Sequence, residues 1–238
     1  MTADRVEELA SGLADVEQRI ARACAAAGRE RGDVTMVAVS KTWPASDVLA
    51  LASLGVVDFG ESYDQEAAAK AQTLRAAAVP VRWHFVGRVQ RNKCRSLARY
   101  AHVVHSLDRG PVVEALGRAA ERDGRRVDAL VQVSFDGDGD PDGARGGCRP
   151  EDASALADVV AGTPGLRLRG VMTVPPVGGD PRSVFDRLAT LSAALRSAHP
   201  EATEVSAGMT ADLEPAIAAG ATLVRIGTAL FGPRAPRG

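Results

Sequence analysis

Apolar residues at Val6, Leu9, Leu13, Val16 and Ile20 recur at three- and four-residue spacing, so residues 4–27 predict an amphipathic helix ahead of the main fold. Beyond it the pattern changes, and short apolar runs alternate with longer amphipathic stretches. Strands are predicted over 34–40, 57–60, 83–86, 103–105, 129–134, 166–172, 203–206 and 223–226. Helices are predicted near 44–54, 63–77, 91–99, 111–122, 151–161, 182–197 and 211–219. Pro44 as a first-turn residue and Gly55 just past the end punctuate the first of these helices. Runs such as TMVAVS and ALVQV are apolar without alternation, as parallel strands covered on both faces must be. The alternation therefore predicts a single α/β domain over residues 1–238, a (β/α)8 TIM-type barrel near its lower size limit, with the helix of residues 1–30 packed on it. A doubly wound open sheet is the alternative, but no GxGxxG follows the first strand.

Composition narrows the function classes. The 238 residues are 45% hydrophobic, enough for a substantial core. With 29 basic and 30 acidic residues the net charge is -1, which leaves no electrostatic footprint for nucleic acid or an anionic membrane. No apolar stretch reaches the roughly 20 residues that span a bilayer, and the start has no basic-then-apolar leader, so a cytoplasmic protein is expected. Cys24, Cys94 and Cys148 are odd in number, widely spaced and without a neighbouring His, which fits neither a disulfide framework nor a zinc site. The acidic run Asp138 to Gly143 imitates the start of a calcium loop, but Arg149 stands where its closing Glu belongs, so a polar, flexible loop is expected instead. His102 and His105 lie three apart on a strand and point to opposite faces, which is poor metal geometry and marks them as packing or rim residues.

Only Lys41, Lys70 and Lys93 among the 29 basic residues are lysines. Arginine fills the generic surface roles, and a guanidinium cannot form an imine with an aldehyde, so each lysine is a candidate for amine chemistry. Position separates them. Lys41 ends the first strand, where barrel active sites lie; Lys70 falls in an Ala-rich helix and Lys93 opens another, so both are expected to be solvated. From position alone Lys41 is equally an ion-pair partner of Glu61 at the barrel rim. The later loops favour chemistry: Ser206 to Thr210 after strand seven, and Gly227-Thr228 after strand eight, can offer backbone N–H groups to an anion, as phosphate cradles of barrels do. An amine facing a phosphate cradle suggests a phosphorylated aldehyde. Arg225 lies inside an apolar strand, where an unpaired charge is costly; it reads either as an internal salt bridge or as a donor to the ring nitrogen of pyridoxal phosphate, which would keep that nitrogen unprotonated and the ring a weak electron sink.

Six segments occur in order: AVSKT at 38–42, DFGESY at 58–63, WHFVG at 83–87 with QRNK at 90–93, LRGVM at 168–172, SAGM at 206–209 and VRIGTALFG at 224–232. Together they resemble the pyridoxal phosphate homeostasis protein family, whose barrel is similar to the amino-terminal barrel of alanine racemase without the second domain. The resemblance spans residues 34–232. It implies that Lys41 holds pyridoxal 5'-phosphate as a Schiff base and that the phosphate sits against Ser206, Gly227 and Thr228, with Gly208 in the same loop. It further implies that Arg225 addresses the pyridine nitrogen and that His84, Met172 and Met209 line the pocket. Ser62 stands where the family usually carries an Asn near the ring. The implied role is non-enzymatic: binding the reactive aldehyde, limiting its free level and passing it to apo-enzymes as transient partners, with a monomer expected and no nucleic acid or membrane involved.

The alternative is a pyridoxal phosphate-dependent amino-acid racemase. That chemistry needs a second base opposite the lysine, supplied in alanine racemase by a tyrosine of the second domain, which is expected to be absent here. Only Tyr63 and Tyr100 are present. A third reading is a barrel enzyme acting on a phosphorylated sugar through a Lys41 imine. Pro215 falls early in the helix after the SAGMT loop; if Thr210 caps that helix, the proline ring would crowd the carbonyl of Ala211, so the helix is expected to begin late or bend.

Overall fold

In the computed structural model of the chain, residues 2–136, 146–176 and 178–233 are described. The calcium-like acidic run Asp138 to Gly143 lies outside them. Eight parallel strands close in sequence order into a barrel, each neighbour pairing with the next and the last with the first. The strands are β1 Thr35–Val39, β2 Asp58–Glu61, β3 Arg82–Phe85, β4 Val103–Leu107, β5 Val127–Gln132, β6 Leu166–Met172, β7 Glu204–Ser206 and β8 Leu223–Ile226. Helix α1 (Ala3–Ala26) precedes them, and α2 Ala45–Ser53, α3 Asp64–Ala76, α4 Cys94–Tyr100, α5 Gly110–Arg122, α6 Ala153–Ala161, α7 Pro181–Ala198 and α8 Leu213–Ala218 follow successive strands, with a short α9 (Thr228–Phe231) after β8. The TIM-type barrel is therefore observed, and the open-sheet alternative falls because β1 pairs with β8 through Val37↔Arg225 and Ala38↔Ile226.

Apolar residues form two layers, as the pleat of covered strands requires. One large cluster joins the outward faces of the strands to the helices, with Phe59, Leu116, Phe185 and Phe231 all buried. A separate small cluster of Val37, Val103, Leu130, Met172 and Leu223 fills the barrel interior. Helix α1 covers the seam between the chain's first and last strands. Its Arg5 pairs with the buried Asp47 at 2.7 Å, donates to the Phe231 carbonyl at 3.0 Å and lies 4.7 Å above the Trp43 ring. Trp43 in turn stacks on Phe231 at 5.8 Å. Further along α1, Arg19 reaches Glu214 at 2.8 Å and the Thr210 carbonyl at 3.0 Å.

Pro44 stands one residue before α2 rather than in its first turn, because its extended ψ of 159° keeps it outside the helix. Helix α8 does begin late, at Leu213, with Asp212 and not Thr210 at the cap. Pro215 thereby becomes the third helical residue, whose amide needs no intrahelical acceptor. Helix α9 was not anticipated from the hydrophobic pattern, since four residues carry too little periodicity. Among the described residues no helix is long and apolar enough to cross a membrane.

Candidate functional site at the carboxyl ends of the strands

The β1 strand runs into a tight turn in which the Trp43 amide donates to the Ser40 carbonyl at 3.0 Å. Lys41 and Thr42 are its middle residues, and Thr42 adopts φ 71°, a left-handed conformation that favours Gly or Asn. Lys41 is half-buried and projects into a cleft of about 600 Å³ that Ser62, Phe85, Gly87, Arg88 and Lys93 also line. A Cβ on Gly87 would lie 2.3 Å from the Ser62 carbonyl oxygen, so only glycine lets the β3 loop close against the β2 loop. Tyr63, at the same rim, is 48% exposed.

Lys70 is not solvated as its helix position suggested. Its side chain is 5% exposed, and its ammonium donates to Glu61 Oε1 and Glu66 Oε1 at 2.6 Å each and to the Ser40 carbonyl at 2.7 Å. Glu61 is thus the partner of Lys70, and Lys41 does not take the Glu61 ion pair that position alone allowed. Burial pushes the Glu61 carboxyl up from its ordinary range, and Lys70 pulls against that shift. Helix composition does not report this, because an Ala-rich helix still turns one side, here that of Lys70, to the barrel wall. The i, i+4 spacing of Glu66 and Lys70 was the available sequence signal. Lys93 is partly exposed and lies 3.9 Å from Asp64.

Arg225 is 4% exposed, and its guanidinium donates to Ser206 Oγ at 2.6 Å and to the Thr173 carbonyl at 2.9 Å. Both partners are neutral, and no ion pair of Arg225 exists among the described residues, so the internal salt bridge is not formed there. Burial holds its guanidinium down at about 10, with the charge of Asp212 opposing the shift. From Ser206 the polar chain continues through the barrel interior. His105 Nδ1 lies 2.8 Å from Ser206 Oγ, His105 Nε2 lies 2.8 Å from His84 Nδ1, and His84 Nε2 lies 2.7 Å from Asp58 Oδ1.

One proton arrangement satisfies the whole relay: Ser206 donates to His105, His105 to His84 and His84 to the Asp58 carboxylate, with both imidazoles neutral. Burial lowers the pKa of both rings, that of His105 furthest. His84 therefore spends both ring nitrogens inside the barrel, and the Ser206 hydroxyl points to His105 and Arg225. No sequence motif marks this relay; period-two alternation shows only that Val103 shares a face with His105 and Leu223 with Arg225. Met172 is buried in the interior cluster, while Met209 is 38% exposed at the rim.

The loops after β7 and β8 touch each other. The Arg225 amide donates to the Gly208 carbonyl at 2.9 Å, and the Ala229 amide lies 3.4 Å from Thr210 Oγ1. Gly208 sits at φ 87° with a hypothetical Cβ only 2.6 Å from Ala216 Cβ, so both conformation and space demand glycine. The Met209 amide donates to Asp212 Oδ1 at 2.6 Å. Gly227 and the exposed Thr228 open the first turn of α9, where amides lack intrahelical acceptors. The carboxyl ends of the strands thus carry an amine after β1, a buried cation with neutral partners on β8 and two glycine-bearing loops able to cradle an anion, although no described residue of β7, β8 or their loops lines the cleft beside Lys41. Burial pushes the Cys94 thiol up to about 11 and that of Cys148 to about 12, so neither is a nucleophile near neutral pH.

Residues 13–235 match the model of the alanine racemase N-terminal domain family. The pyridoxal phosphate homeostasis protein of Mycobacterium tuberculosis is 44% identical over 97% of this chain and 95% of its own length. That of Escherichia coli is 34% identical over 96% and 98%. Among solved structures, PipY of Synechococcus elongatus with pyridoxal phosphate bound superposes with a TM-score of 0.76 at 33% identity, covering 84% of this chain and 93% of that one. An alanine racemase of Clostridium difficile superposes at 0.71 with 13% identity, a likeness of fold alone. Shared sequence over nearly the full length, the closed barrel and the order of its strand-end motifs make this chain a member of the pyridoxal phosphate homeostasis protein family.

Proposed function

We propose that this protein binds pyridoxal 5'-phosphate through an imine between Lys41 Nζ and the aldehyde carbon, formed with loss of water. The observation that carries the reading is Arg225, a buried guanidinium whose bonded partners are a hydroxyl and a carbonyl. A cation kept at that cost fits a ligand that brings an acceptor, and the unprotonated ring nitrogen of the cofactor is one. The loops containing Gly208 and Gly227-Thr228 suit its phosphate, and the relay from Asp58 to Ser206 supports the Arg225 guanidinium from behind.

The bound cofactor supplies an electrophilic aldehyde and a ring that can act as an electron sink. Arg225 disfavours a proton on that ring, so the protein holds the cofactor without exploiting it. Burial, with the neighbouring Asp64 adding to it, pushes the Tyr100 phenol far up, and Tyr63 stands exposed at the rim. Neither is a suitable second base, and lacking one forfeits roughly 10²–10⁴-fold of proton-transfer catalysis. The role is accordingly non-enzymatic: a monomeric cytoplasmic protein that limits the free aldehyde and passes it to apo-enzymes.

Titration with pyridoxal phosphate should develop a yellow band that borohydride traps on Lys41 and that is lost in Lys41→Ala. A band that survives in that variant removes Lys41 as the anchor. Incubating the loaded protein with L-alanine tests the racemase alternative, since D-alanine formed at enzymatic rates would refute the non-enzymatic role.

A further inference from the structure

The turn that presents Lys41 is held on both sides by one buried ammonium. Lys70 has three N–H donors and three acceptors: the Ser40 carbonyl, Glu61 Oε1 and Glu66 Oε1. The two carboxylates carry the grip further. Glu61 Oε1 accepts the Ser40 hydroxyl at 2.7 Å, and Glu66 Oε1 accepts the Thr42 amide at 2.6 Å. Ser40 is therefore fixed twice and Thr42 once, leaving Lys41 between two anchored neighbours. Thr42 at φ 71° needs such restraint, because a β-branched residue in the left-handed region is strained when nothing holds it there.

We propose that Lys70, through Glu61 and Glu66, is the positioning residue that fixes the direction in which the Lys41 amine leaves the barrel. The inference rests on Lys41 being the amine that captures the cofactor aldehyde. Imine formation demands that the nitrogen approach the carbonyl carbon along a narrow path, so a wandering turn loses rate and equilibrium together. Binding of the phosphate and the ring by the β7 and β8 loops makes no such demand on β1.

The test compares pyridoxal phosphate with pyridoxine phosphate, which has the same ring and phosphate but no aldehyde. Lys70→Met is the first variant. The double variant E61Q/K70M removes both buried charges together and preserves folding if the single change does not. The expected result is an affinity for pyridoxal phosphate lowered about tenfold or more, with pyridoxine phosphate bound within about twofold of the unsubstituted protein. In the cofactor-free protein, hydrogen exchange at the Thr42 amide should rise about tenfold as its restraint is lost. Equal loss for both ligands would mean a merely structural Lys70, and unchanged capture of pyridoxal phosphate in a folded variant would mean no role; either overturns the proposal. If the unsubstituted protein yields no borohydride adduct on Lys41, the reading beneath the inference fails first and takes the inference with it.

Discussion

Arg225 donates to Ser206 Oγ at 2.6 Å without an ion pair among the described residues, so a full positive charge is buried against a hydroxyl. Arrangements of this kind are retained for binding rather than for folding. Replacing Arg225 by Met should therefore leave the melting temperature of the cofactor-free protein within about 4 °C of its original value or above it, while pyridoxal phosphate affinity falls about tenfold or more. Calorimetry with and without cofactor checks both halves. A large loss of cofactor-free stability would show that the guanidinium is structural.

The buried imidazoles predict the pH dependence of stability. His84 and His105 have lowered pKa values in the fold, so between about pH 6.5 and their native values the unfolded chain binds more protons. Stability is then complete above about pH 6.5 and declines as pH falls, by up to about 1.4 kcal/mol per pH unit for each ring. Glu61, with its raised carboxyl, opposes the decline at lower pH. Urea unfolding between pH 8 and pH 5 measures the slope, which His105→Asn should reduce. A flat profile in the unsubstituted protein would contradict the neutral relay.

Gly208→Ala places a Cβ 2.6 Å from Ala216 in a backbone conformation that alanine resists. The expected cost is more than about 1 kcal/mol in stability, with phosphate-dependent affinity falling further as the loop shifts. Comparing pyridoxal phosphate with unphosphorylated pyridoxal separates the effects: the variant should lose most of its preference for the phosphorylated form. Retention of that preference would remove the β7 loop from the cradle.

Ser62 is half-buried on the β2 loop that Gly87 packs against. Ser62→Asn should add an amide near the ring and tighten pyridoxal phosphate binding by one ordinary hydrogen bond, about three- to tenfold. Equilibrium titration decides this, and weaker binding would place Ser62 away from the ring.

The barrel itself was legible because eight apolar runs without alternation leave few architectures, and Lys41 was legible because it ends the first of them. Arg225 declared itself as a charge in an apolar strand. Its neutral surroundings did not, since Ser206 ends β7 and Thr173 follows β6, and both meet it only across the closed interior. The burial of Lys70 is hidden for the related reason that its acceptors Ser40 and Glu61 sit at the ends of β1 and β2, which no helical periodicity reports. The late start of α8 followed from Pro215 alone, because a proline ring acts on its own chain within one turn.

The pairing of β1 with β8 through Val37 and Arg225 joins parts of the chain separated by almost its whole length. During synthesis Lys41 leaves the ribosome well before Arg225 and the loop after β8. On the proposed reading the aldehyde-binding lysine is thus made before its cradle, which is complete only once β8 slots into the open wall beside β1.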